Sequence, residues 1–140
     1  MDANSLATCG VLCDLCLGFQ RKKDTCVGCN EEGFKPYHCT VCSIKLCPEK
    51  HGDPRALCSA CQKFPCRRIK ALNKRYVARY GEDLLDNFRR CEESGISAFI
   101  EEREEFWKCA SCGELLCVHR ETCMNCGAVN LYFPGGTEKN

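Results

Sequence analysis

From Ile69 onward the apolar residues recur at three- and four-residue steps, through Leu72, Tyr76 and Tyr80, until Gly81 closes the run. That period predicts a helix with one buried stripe. Leu84, Leu85, Phe88 and Cys91 restart the same spacing, and after a Ser94-Gly95 break Ile96, Phe99, Ile100, Phe106 and Trp107 fall on one side of a third helix. Cys91 belongs to the stripe of the second helix, which makes it a small buried hydrophobe rather than a ligand.

Before these helices the pattern is lost. Between Cys9 and Cys66 the large apolar residues (Leu12, Leu15, Phe19, Phe34, Ile44, Leu57, Phe64) are scattered without a sustained period. A core that small rarely outweighs chain entropy. Cysteine changes the picture: there are 17 in 140 residues, with 11 between Cys9 and Cys66, five between Cys109 and Cys126, and Cys91 alone between the two groups. The start MDANSLAT lacks the basic and apolar runs of a secretory signal, and no apolar stretch is long enough to cross a membrane. A reducing cytoplasm is the expected setting, and there thiolates on metal are favoured over disulfides. Structural zinc binds small peptides with about 10–16 kcal/mol at neutral pH, and that binding becomes folding energy where the unfolded chain has no site.

The stretch WKCASCGELLCVHRETCMNCGA carries the most specific signal. Cys109 and Cys112 form one CxxCG knuckle, and Cys123 and Cys126 a second. Two such knuckles are expected to face each other across a short β-hairpin, a zinc ribbon with four sulfurs at tetrahedral angles and no position left open for water. Such a site is structural. Cys117 is expected as a strand residue outside the ligand set, and His119 is expected to face solvent.

The amino-terminal half repeats itself. HCTVCSIKLCP supplies Cys39, Cys42 and Cys47, and LCSACQKFPC supplies Cys58, Cys61 and Cys66, the same CxxC-x4-C unit twice. CGVLCDLC adds Cys9, Cys13 and Cys16, and CVGC adds Cys26 and Cys29. One zinc site from Cys13, Cys16, Cys26 and Cys29 is stereochemically easy. Three sites require a histidine as twelfth ligand, with His38 favoured over His51, while sequential and interleaved pairing both stay open. So does the metal. Zinc is the leading reading, but Cys47 is followed by Pro48, an echo of bacterial iron–sulfur motifs.

Charge narrows the partners. Lys63, Arg67, Arg68, Lys70, Lys74, Arg75 and Arg79 are followed by nine acidic and three basic residues between Glu82 and Glu105, yet the whole chain is only +1. Mutually neutralising faces are the expectation, with nucleic acid the weaker alternative.

The order CGVLCDLC, CVGC, HCTVCSIKLCPEK, LCSACQKFPC, YGEDLLDNFRRCEESGISAFIEE and the terminal CxxCG pair resembles an uncharacterised cysteine-rich family of bacteria and archaea, a domain of unknown function. The resemblance implies zinc and supplies no reaction. Three histidines, with no HExxH or HxE pattern, argue against the usual zinc hydrolases and deaminases. The sequence therefore predicts an α+β, metal-stabilised protein: a Cys-rich multi-metal module over residues 1–66, a helical connector over 67–107, a zinc ribbon over 108–130 and a tail over 131–140. Its expected role is presentation of a surface to a protein partner, through Phe34, Tyr37, Leu131, Tyr132 and Phe133. An iron–sulfur or redox centre in the amino-terminal half is the alternative, and no membrane is expected.

Overall fold

The central periods form helices in a computed structural model that describes residues 1, 3–35, 37, 42–44, 46–50 and 56–134. Among these residues there are four α-helices: α1 Leu17–Gln20, α2 Arg67–Tyr80, α3 Leu84–Ser94 and α4 Ile96–Phe106. Single 3-10 turns occur at Ala3–Ser5, Cys13–Leu15, Pro48–Lys50 and Cys58–Ala60. No described helix is long and apolar enough to cross a membrane.

The junctions between α2, α3 and α4 have local causes. α2 stops at Gly81, whose left-handed φ of 71° lets the amides of Gly81 and Glu82 close back on Val77 and Tyr76. Asp83 then caps α3 by accepting from the Asp86 amide at 3.0 Å. The α2–α3 corner is fixed further by the Leu84 amide, which donates to Asn73 Oδ1 at 2.6 Å. Gly95 ends α3 and begins α4.

The core crosses the whole chain. Leu6, Leu12 and Leu15 from the amino-terminal segment pack in one cluster with Phe99 and Ile100 of α4, Trp107, Leu116 and Val118. Cys91 is half-buried against this cluster. Backbone bonds tie the same parts: Val118 N–H donates to Leu15 O at 2.9 Å, and Gln20 Nε2 donates to Leu116 O at 2.9 Å.

Two polar residues sit on apolar stripes. Asn87 of α3 is buried and donates to Gly10 O at 2.9 Å. Arg103 of α4 is buried too, and its Nη2 meets Glu82 Oε1 at 3.1 Å while its guanidinium lies over the Phe106 ring. Further ion pairs lie within α3 and between α3 and α4, as Arg90 makes with Asp86 and Glu102. The basic residues Arg67, Arg68, Lys70, Lys74, Arg75 and Arg79 of α2 are exposed.

The expected α+β class is wrong. The described residues contain no strand, so there is no carboxy-terminal β-hairpin, and the chain is helical and cysteine-rich. Antiparallel pairing is confined to three isolated bridges, Leu6 with Leu12, Lys108 with Leu115 and Thr122 with Val129. The cause lies in where the backbone bonds go. Between the knuckles, Leu116, Cys117 and Val118 are buried, and their groups are taken by Trp107, Leu15, Gln20 and Asn130. Few groups are left over for a ladder between the two arms.

Candidate metal centre

The carboxy-terminal site is one loop built twice. In the first copy Cys109 N–H donates to Glu114 O at 2.8 Å and Gly113 N–H to Cys109 O at 2.9 Å; in the second Cys123 N–H donates to Ala128 O at 2.7 Å and Gly127 N–H to Cys123 O at 2.9 Å. Gly113 and Gly127 carry φ of 80° and 81°, a turn that a side chain would strain, and this is why glycine follows each CxxC. Bridges between Lys108 and Leu115 and between Thr122 and Val129 close each loop at its base.

The loops bring four sulfurs together. Cys109 Sγ lies 3.7 Å from Cys126 Sγ, Cys112 Sγ lies 3.7 Å from Cys123 Sγ, and all four lie within 4.8 Å of one another. A disulfide needs ~2.05 Å between sulfurs, so these are separate thiols. A tetrahedral ion with metal–sulfur bonds of ~2.3 Å sets its ligand sulfurs ~3.8 Å apart, and the quartet fits that spacing. Among the described residues it is the one group of three or more donors drawn this close, and it could hold a metal ion.

The surroundings favour thiolate at two of the four. Amides of Cys112 and Ser111 lower the Cys109 thiol, and the Asn125 side chain, followed by the Glu114 amide, lowers Cys112 to about 7. At Cys126 the Ala128 amide also pulls downward, but lost hydration and the neighbouring thiols prevail and push it up to about 11. Cys109 and Cys123 are buried, against half-buried Cys112 and exposed Cys126, so the first cysteine of each knuckle faces the core and the second faces outward.

The other sequence-designated residues are distributed differently. Cys13 and Cys29 are in contact, the Cys29 amide donating to Cys13 Sγ at 3.3 Å, and Cys16 lies near enough to feel Cys29 and Cys26. Cys26 Sγ accepts from the Gly28 amide at 3.4 Å, as Cys123 Sγ does from Asn125 at 3.4 Å, which gives CVGC and CMNC the same turn. Burial pushes Cys9 up to about 12, with Cys29, Cys42 and Cys58 adding to the rise. Cys47, Cys58, Cys61 and Cys66 line one cavity. His38, Cys39 and His51 lie outside the described residues.

Two expectations in the inter-knuckle segment change. Cys117 is fully buried and belongs to no strand. His119 does not face solvent: Nδ1 accepts from the Leu17 amide at 3.1 Å, Nε2 meets Tyr76 Oη at 3.0 Å, and the ring stands edge-on to Tyr80. The sequence reading also passed over Glu82 and Arg103. Arg103 falls three and four residues after Ile100 and Phe99 and four before Trp107, so its place on the apolar stripe was the available signal.

No family model, no curated protein and no solved structure matches this chain. Its function is argued from the site.

Proposed function

We propose that this protein binds zinc through Cys109, Cys112, Cys123 and Cys126 in a closed structural site, and that the loops so fixed serve to present a surface to another protein. The observation that carries the metal is the convergence of four thiols at 3.7 Å in two pairs, the spacing of a tetrahedral thiolate shell. Zinc suits it because a filled d shell accepts that geometry without preference and soft sulfur ligands select it over magnesium or calcium. Four protein ligands leave no open position, so this site has no catalytic role in the reading.

The surface beside the metal loops supports an interaction role. Met124 within the second knuckle is 44 % exposed, and Val129 and Leu131 just after it are 68 % and 83 % exposed. Tyr132 between them and the helices is anchored, stacking on Phe106 at 4.3 Å. Apolar side chains held on a rigid, polar-rimmed platform suit a protein partner. The exposed basic residues of α2 support nucleic acid less, since the chain as a whole is near neutral.

Native mass spectrometry tests the metal: the purified chain should carry zinc, and the Cys112→Ala, Cys126→Ala variant should carry one ion fewer. Equal zinc in both would refute the site. A photo-crosslinker at position 131 should join the chain to another protein; joining to nucleic acid alone would refute the partner class.

A further inference from the structure

α2 carries Arg67, Arg68, Lys70, Lys74, Arg75 and Arg79 and no acidic residue. All are exposed, and none pairs with a carboxylate among the described residues. The chain's own anions are engaged elsewhere: Glu93, Glu102, Glu104 and Glu105 face Arg89, Arg90, the amino terminus and Lys108. The charge left on α2 works against the helix that bears it. Lys70 and Lys74 repel at i,i+4, as do Arg75 and Arg79, with no opposite charge on the helix to offset them. Arg67, Arg68 and Lys70 also crowd the positive pole of a helix start that has no side-chain cap. Each of these costs is relieved by an anion on the outer face.

On a turn of ~3.6 residues the cations fall into two rows. Arg67, Lys70 and Lys74 form one, Arg68, Arg75 and Arg79 the other, and exposed Ala71 and Ala78 lie along the strip between them. We propose that this strip binds an extended acidic segment of the protein partner, a proposal that rests on the partner reading above. An extended chain sends successive side chains to opposite sides, so alternate carboxylates meet alternate rows. The 14 residues of α2 span about 21 Å, which matches about six extended residues. Nucleic acid fits the strip less well. Single strands stack on exposed aromatic faces, whereas Tyr76 and Tyr80, the aromatic residues of α2, turn inward onto His119. A duplex is drawn by a broad positive field, which a chain of net charge +1 with exposed Glu92, Glu93, Glu101 and Glu102 lacks.

The test titrates the purified full chain with a dye-labelled peptide of about six glutamates, beside its glutamine counterpart and duplex DNA. The glutamate peptide should bind, more weakly as salt rises, and the glutamine peptide should not. Lys74→Gln, Arg75→Gln takes one cation from each row and should weaken binding at least about fivefold. Lys22→Gln, Lys23→Gln removes the same charge from exposed positions outside α2 and should change it less than about twofold. The α2 variant should also unfold at higher urea, because glutamine keeps the helix propensity and removes both repelling pairs. A merely structural role for these cations would give the opposite shift. Failure of the glutamate peptide to bind, equal weakening by both variants, tighter binding of DNA than of the peptide, or a destabilised α2 variant would each overturn the proposal. The crosslinker at position 131 judges the partner reading separately. Protein joined there, with the α2 variant binding the glutamate peptide as wild type does, would refute the strip and leave that reading standing; nucleic acid alone joined there would refute both.

Discussion

His119 Nδ1 accepts a hydrogen bond from the Leu17 amide at 3.1 Å, joining the segment between the two cysteine loops to a residue 102 positions earlier. The contact fixes the tautomer. An accepting Nδ1 leaves the proton on Nε2, which then donates to Tyr76 Oη.

Acid should therefore loosen this junction. Burial, followed by the charge of Arg120, depresses the His119 pKa below its ordinary 6.5. The unfolded chain then takes up the proton more readily than the folded one. The contribution to stability is present above the unfolded value and is lost as pH falls through it toward the depressed folded value. Urea unfolding at about pH 7.5 and about pH 6 should show a larger loss for wild type than for His119→Gln. Equal losses would show that the ring is not a titrating part of the junction.

Glu82 and Arg103 are a buried pair, 3 % and 11 % exposed at their side chains. Desolvation raises the Glu82 pKa despite the opposing pull of Arg103. Arg103→Met leaves the carboxylate buried without its cation and should cost about 3–5 kcal/mol by denaturant unfolding. Because a carboxyl with a raised folded pKa loses stability as pH rises through it, this cost should grow from acid to neutral pH. Glu82→Gln combined with Arg103→Met should recover most of it. A double variant as unstable as Arg103→Met would place the cost in lost packing instead.

Gly81 is the joint between α2 and the chain end. A Cβ there would come within 2.5 Å of Tyr132 O, in a left-handed conformation. Gly81→Ala should cost about 1–2 kcal/mol for the backbone alone. It should also expose residues 131–134 to protease, since Tyr132 must move off Phe106 and Trp107. Unchanged protection there would mean that the tail is not seated against this corner.

The parts legible in sequence are those governed by local spacing. The periods through Ile69, Leu84 and Phe99 mark α2, α3 and α4, and the paired CxxCG signals mark the four sulfurs that converge. The hairpin was misread because its backbone partners are distant. Leu15 and Gln20 take bonds that a ladder would have used, and nothing near residues 116–118 announces them. His119 was hidden for the same reason, its three neighbours being Leu17, Tyr76 and Tyr80.

Metal removal, read at Trp107 and at the loop amides, tests the central claim most directly. Trp107 is fully buried between α4 and the first knuckle, and the amides of Cys109, Gly113, Cys123 and Gly127 are bonded within the loops that the sulfurs bring together. After strong chelation, with loss of metal verified by elemental analysis, hydrogen exchange should become fast at those four amides and Trp107 emission should shift to the red. The amide of Leu84, bonded to Asn73, should stay protected. A metal-free protein with the same four amides still protected and Trp107 unchanged would contradict the claim that a bound ion holds this lobe together.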